Sequence, residues 1–276
     1  MFQDKQRPCR FRTMVSNTNS RTPPGIGWCA VGGQETVSDT PTRTFQGVST
    51  GLVEIDHQMG GGLPWGCVVL VEGKHGAGKT VLCQHLTHSA LQTPSSVAFY
   101  TSETGSPSLL TRMASLRLDV MDHFLLDRLR IFPLELTDLY PEADELVQVL
   151  LEHIVALPQE FQLIVVDSLT SFLPRCSQST VLNFFIECRQ LCSQNKTIVL
   201  TLDSRPSINS IAAQMYPWCD VHLKLQMEAV MVERVVKALR VLKNSGESPV
   251  DNPGKVHFEV QEGLGINVLW PKRSYP

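Results

Sequence analysis

The stretch "VEGKHGAGKT" (71–80) carries an apolar, strand-like segment into a glycine-rich loop ending in lysine and threonine. Gly73, Gly78, Lys79 and Thr80 satisfy the spacing G-x-x-x-x-G-K-[ST], the signature of a phosphate-binding loop. The spacing has a physical reason. Small residues let successive backbone N–H groups turn inward to cradle an anion, and the helix that follows offers its positive N-terminal end. Lys79 is then expected to reach the β- and γ-phosphates and the Thr80 hydroxyl to join a Mg²⁺ shell. Lys74, His75, Gly76, Ala77 and Val81 complete the candidate nucleotide cradle, with His75 contributing only its backbone N–H. Context supports the motif. "CVVLVE" (67–72) reads as a buried parallel strand, and "TVLCQHLTHSAL" (80–91) places Val81, Leu82, His85, Leu86, Ser89 and Ala90 at helical spacing.

Working outward, "STGLVEIDHQMGGGLPWG" (49–66) reads as a short helix and a tight turn that deliver the chain to the loop strand. Downstream, "VAFYTSE" (97–103) is a second strand ending in Glu103. A carboxylate at the C-terminal tip of a parallel strand sits where ligands bind in open α/β sheets, so Glu103 is the candidate to orient or deprotonate an attacking water. A helix is expected over 106–116, a strand near 129–132 and an amphipathic helix over 142–157. "FQLIVVDSLTSFL" (161–173) then sets four apolar residues before Asp167, the acidic strand end that holds Mg²⁺ through a bound water in phosphate-loop enzymes. A helix over 181–194 and the strand "TIVLTL" (197–202) complete a β-α-β-α-β-α-β order, which predicts an α/β fold with a mostly parallel sheet and helices on both faces. The last third alternates in extended style through 220–229, 231–244 and 255–260, read as a hairpin or meander on one sheet edge.

Composition sets bounds on function. The 276 residues suffice for one large domain with an arm, and 42% hydrophobic with 18% charged residues suits a globular core. A net charge of −3 gives no general attraction to nucleic acid or anionic lipid. No apolar window is long enough to span a bilayer. Eight scattered cysteines without a C-x-x-C pair read as reduced core thiols of a cytoplasmic protein; Cys188 and Cys192, four apart, are a possible metal pinch, but burial on one helix face is the plainer reading. His85 and His88 lack an acid or cysteine partner and read as packing residues. Residues 1–46, with Arg7, Arg10, Arg12, Arg21 and Arg43 among Ser, Thr, Asn and Gly, show no hydrophobic periodicity and are expected to form a disordered or loosely attached arm before a 47–276 domain.

The segments "GGGLPWGCVVLVEGKHGAGKT", "VAFYTSE" and "IVVDSLT", with the terminal hairpin ending in Lys243, resemble RecA-like ATPases of the KaiC type. More narrowly, residues 97–136 and 182–204 look like the FlaH family of archaeal flagellar ATP-binding accessory proteins; the likeness spans about 47–271. The resemblance implies a RecA-like domain with a C-terminal antiparallel β extension that binds ATP with Mg²⁺ and tends to form homo-oligomeric rings. It also implies a cytoplasmic place, peripheral to the membrane through a secretion-type hexameric motor ATPase and a membrane platform protein. By position it assigns Gly73–Thr80 to the phosphate loop, Glu103 to the catalytic-type glutamate and Asp167 to the Mg²⁺ side. It assigns Lys243 to a hairpin lysine that reaches a neighbouring subunit's γ-phosphate.

Two departures matter. Ser245 stands where such hairpins carry arginine, and Asp203 follows the fourth core strand where histidine is usual. An arginine acting in trans is worth several orders of magnitude in phosphoryl transfer, so its loss points to slow hydrolysis. The alternatives are a KaiC-like signalling ATPase or autokinase using Ser168, Thr170 or Ser171, and a RecA-like DNA recombinase. The latter is disfavoured because 174–180 and 203–210 are short, with one arginine each (Arg175 and Arg205).

Overall fold

The computed structural model describes residues 47–102, 105–134, 143–231, 234–245 and 254–269. The expected arm over 1–46 and the candidate Glu103 lie outside the described residues.

The chain begins with a two-residue ribbon, β1 (Gly47–Val48) against β2 (Leu63–Pro64), enclosing helix α1 (Val53–Gln58). Asp56 ties this entry together by accepting from the Thr50 N–H and hydroxyl, each at 2.8 Å. Strand β3 (Val68–Gly73) follows and is buried along its whole length. The remaining order is α2 (Lys79–Leu91), β4 (Ser96–Thr101), α3 (Ser106–Ser115), α4 (Met121–Leu125), β5 (Leu129–Pro133), α5 (Ala143–Ala156) and β6 (Phe161–Asp167). Then come α6 (Gln178–Ser193), β7 (Thr197–Leu202), α7 (Asn209–Met215), β8 (Val221–Met231), β9 (Arg234–Asn244), β10 (Lys255–Gln261) and β11 (Gly265–Leu269).

Nine strands form one sheet in the order β11-β10-β9-β8-β3-β7-β6-β4-β5. The six strands from β8 to β5 are parallel to their neighbours, and β9, β10 and β11 add antiparallel pairs at one edge. The expected parallel core and antiparallel extension are both present. The first strand of the terminal meander, β8, is parallel to β3 and so closes the parallel core before the hairpin begins.

Chain direction sorts the helices. From β3 through α2 to β4, and through α3 and α4 to β5, the chain steps one way along the sheet. From β5 through α5, α6 and α7 it steps back, past β6 and β7, to β8. Right-handed crossovers taken in opposite directions put their helices on opposite faces. Two apolar cores result. One joins Val69, Val71, Leu82, Leu86, Leu109 and Met113, and the other joins Leu70, Ile154, Ile164, Phe184 and Cys188. The second core buries both Cys188 and Cys192.

Helix α2 departs from its expected one-sided pattern. Leu82 through Thr87, Ala90 and Leu91 are all buried, because the sheet covers one side while β1 and β11 lie against the helix as well. The β3–β7 pairing carries α2 and the loop before it to the C-terminal rim, where β6 and β7 also end.

Candidate functional site

The loop between β3 and α2 is built by close approach at one end and a left-handed turn at the other. At Gly73 a Cβ would stand 2.7 Å from the Leu225 carbonyl oxygen of β8, so any side chain would push the strands apart. At Gly78, the N-cap of α2, φ is +102°, a conformation that costs L side chains heavily. The turn closes through the Ala77 N–H donating to the Lys74 carbonyl at 3.0 Å. Lys79, first residue of α2, bends back over it, and its ammonium donates to the carbonyls of Gly73 (2.7 Å) and Lys74 (3.2 Å). An ammonium has three donors, so the lysine spans the loop mouth with a donor to spare. Lys74, His75 and Gly76 are exposed, Ala77 is buried, and Gly78, Thr80 and Val81 are half-buried. The cradle therefore opens outward through Lys74, His75 and Gly76.

Asp167 ends β6, fully buried, and accepts from the Thr201 hydroxyl of β7 at 2.7 Å. It and Lys79 converge on the start of α2. The Cys83 thiol, one turn in, is pushed well up by burial and then by Asp167, and pulled back by Lys79. The charges of Asp167 and Lys79 are thus both felt at the start of α2: the carboxylate suits a cation, and the ammonium suits the phosphate oxygens beside it. Thr80, in the first turn of that helix, brings a hydroxyl for the cation.

The rim around this loop is stitched from strand to strand. The Ser102 N–H, just past β4, donates to the Asp167 carbonyl at 2.8 Å, and the Ser168 N–H donates to the Ser102 hydroxyl at 3.1 Å. Thr170 accepts from the Asp203 N–H at 2.9 Å, tying β6 to β7. The Ser204 N–H donates to the Gly73 carbonyl at 3.3 Å, tying β7 to the glycine-rich loop itself. Behind Gly73 lies Glu72, 3% exposed, whose carboxylate accepts from Ser204 Oγ (2.9 Å), Tyr216 OH (2.9 Å) and His222 Nε2 (3.0 Å). Because a carboxylate only accepts, His222 must carry its proton on Nε2. Lys224 adds an ammonium at 3.4 Å. The His222 bond, against the opposing cost of burial, leads the Ser204 and Tyr216 bonds and Lys224 in lowering the Glu72 carboxyl to about 2.

Other sequence candidates separate from this cluster. Lys243, at the end of β9, turns its ammonium onto its own chain, donating to the carbonyls of Cys219, Tyr216 and Pro217. Arg205 pairs with Asp203 at 2.9 Å, so the exposed guanidinium neutralises the carboxylate that follows β7. The hydroxyls weighed as phosphorylation sites serve local turns: Ser168 accepts from the Thr170 N–H and Ser171 donates to the Ser168 carbonyl. His85 is buried, accepts from the Ile266 N–H at 3.1 Å and has its pKa lowered to about 4, chiefly by burial. It is a packing residue between α2 and β11.

Glu72, Ser204, Tyr216, His222 and Thr201 were not singled out from the sequence. Glu72 carried a signal: it is the one charge in the buried run "CVVLVE", immediately before the loop. Its partners come from three separate segments, and only the fold brings them together.

Against known proteins, the model of the family described as "ATPase: KaiC" matches residues 48–273. The "Archaeal flagellar ATP-binding protein FlaH" of Sulfolobus acidocaldarius is 28% identical over 224 residues, 80% of this chain and 96% of that protein. That of Methanococcus voltae is 21% identical over 78% and 93% of the two chains. The crystal structure of the flagellar accessory protein FlaH from Methanocaldococcus jannaschii aligns with a TM-score of 0.68 at 20% identity, over 79% of this chain and 96% of that one. At that identity the structural likeness speaks for the RecA-like fold alone. With a family model matched from β1 to just past β11, the chain belongs to the KaiC family of ATPases.

Proposed function

We propose that the chain binds ATP with Mg²⁺ at the 73–80 loop, hydrolyses it slowly, and serves as a regulatory or assembly component of an archaeal flagellar motor. The observation that carries the nucleotide reading is the cradle itself: a left-handed Gly78 at the N-terminus of a 13-residue helix, with the Lys79 ammonium folded across the loop mouth. Bound Mg²⁺ would neutralise charge developing between the β- and γ-phosphates. Thr80 would hold it directly and Asp167 through a water, with Thr201 fixing one Asp167 oxygen. Lys79 would exchange its two carbonyl acceptors for phosphate oxygens, and Glu103 remains the residue proposed to orient the attacking water.

Slow turnover is supported by Ser245 in place of a hairpin arginine, and by the pairing of Arg205, which could otherwise stand in for it, with Asp203. The motor assignment rests on the FlaH relatives, whose names describe archaeal flagellar ATP-binding proteins. In this reading the chain assembles into a homo-oligomeric ring in which Lys243 leaves its own 216–219 turn to reach a neighbour's γ-phosphate. The ring docks, from the cytoplasmic side, on a hexameric motor ATPase and a membrane platform protein. Among the described residues no helix is long and apolar enough to cross a membrane, so contact with the membrane is assigned to those partners. Purified protein incubated with ATP and Mg²⁺ should retain bound nucleotide, shift to a larger species in light scattering, and release phosphate at well under one turnover per second. Rapid turnover, or nucleotide binding with no change in assembly, would count against the regulatory role.

A further inference from the structure

The structure brings a second lysine to the phosphate loop. Strand register fixes its place. Gly73, last residue of β3, is opposite Leu225 of β8, and two residues further along β8 Met227 is opposite Lys237 of β9. Lys237 therefore stands just beyond the strand end where the loop begins. Its parity matches Leu239 and Val241, which belong to the core under α2, so it faces the same side as that helix. The side chain agrees with the register: Lys237 Cδ lies 3.5 Å from where a Cβ on Gly78 would stand, beside the Phe258 ring at 3.4 Å. The ammonium is two bonds beyond that carbon, within reach of anything seated on the loop's amides.

The position is electrostatically unfavourable for a resting protein. The N-terminus of a helix repels cations, and natural helices place acids there. Here α2 has no acidic residue in its first turn, Lys79 opens it, Lys74 is in the loop, and Lys237 has no hydrogen bond or ion pair among the described residues. A lysine stem along an apolar surface commonly carries its head to open solvent. This one runs over the N-cap, where with Lys74 and Lys79 it exceeds the charge that Asp167 brings to the start of the helix. A local rule broken at such a point marks a binding position rather than a stabilising one.

We propose that Lys237 is a phosphate-binding residue of the same subunit, supplying from β9 a second ammonium to the nucleotide polyphosphate held by the 73–80 loop. The assignment rests on the nucleotide reading above. It differs from the role given to Lys243, which needs a neighbouring subunit.

The test uses the full chain and calorimetric titration of ATP, ADP and adenosine with Mg²⁺, for wild type, Lys237→Met, Lys237→Arg and Lys79→Ala. Loss of one charged contact predicts roughly tenfold weaker ATP and ADP binding by Lys237→Met. Adenosine affinity should be unchanged, the dependence of ATP affinity on salt shallower, and Lys237→Arg close to wild type. The melting temperature of Lys237→Met without nucleotide should not fall, since a repelling cation has been removed; a structural role for the lysine predicts that it does fall. If wild type binds ATP, Lys79→Ala abolishes binding and Lys237→Met matches wild type within twofold, the Lys237 assignment is overturned while the nucleotide site stands. If wild type binds no nucleotide, the site reading itself fails. Should Lys237→Met not fold, Lys237→Gln carries the same expectations and the same refutation.

Discussion

Replacing Glu72 by alanine would remove the acceptor shared by Ser204 Oγ, Tyr216 OH and His222 Nε2, all within 3.0 Å of it, and leave the nearby Lys224 unpaired. Breaking a buried charged pair from one side costs about 3–5 kcal/mol, because the remaining donors stay desolvated and unsatisfied. In a domain of this size that corresponds to a fall in Tm of about 6–20 °C. Glu72→Gln keeps the shape but offers one accepting oxygen and a donor where a second acceptor is needed, so about 2 kcal/mol is expected.

A pH dependence follows from the same network. The folded carboxyl, lowered to about 2 from an ordinary value near 4.5, stays ionised where the unfolded one protonates. Its contribution is therefore complete above about pH 4.5 and is lost as pH falls toward 2, amounting to about 3 kcal/mol over the full window. Urea unfolding at pH 7, 5 and 3.5 on wild type and Glu72→Gln measures both effects. Because Ser204 also holds the Gly73 carbonyl, the variant should weaken ATP binding as well as stability. Unchanged stability at pH 7, or an acid slope identical in wild type and variant, would refute the argument that this carboxylate clamps the loop.

Asp167→Asn should leave metal-free ATP affinity near that of wild type and remove the gain that Mg²⁺ brings, read by titration with and without EDTA; a full Mg²⁺ response in the variant would exclude Asp167 from the metal position. His85, with its folded pKa near 4 against an ordinary 6.5, contributes stability that is complete above about pH 6.5 and lost as pH falls toward 4. Between pH 7 and 5 the loss is about 2 kcal/mol in denaturant unfolding, and His85→Gln, which can still accept from the Ile266 N–H, should flatten that slope.

Much of the fold could be read from local pattern because β3, β4, β6 and β7 are buried parallel strands, each carrying a run of three or four consecutive apolar residues. The glycine-rich loop was legible for a related reason: its motif is complete within ten residues, although what requires glycine at Gly73 is the Leu225 carbonyl of β8. Asp167 stands where expected, at the end of β6. The legible part ended where function depends on register between distant strands. Lys237 belongs to the loop only through pairings from β3 to β8 to β9, and "RVVKALRVLKN" gives no hint that its first lysine lies nearer the loop than its second. For Lys243 the resemblance implies reach toward a neighbouring subunit, and within the single chain its ammonium donates to the Cys219 carbonyl. Helix α2 was read as one-sided because spacing reports only an apolar stripe. The polar Gln84 and Thr87 are buried too, on a helix that β1 and β11 approach as well as the central strands, which spacing alone does not disclose.

The proposed function requires the loop from Gly73 to Thr80 to grip a triphosphate through backbone amides and the Lys79 ammonium. Direct binding of ATP to wild type and Lys79→Ala, by calorimetry at fixed salt and Mg²⁺, tests that most simply. Saturable one-to-one binding by wild type, weakened about a hundredfold or more in the variant, is the predicted result, since the lost contact is a charge-assisted one in a partly buried cradle. Equal affinity in the two proteins would contradict it.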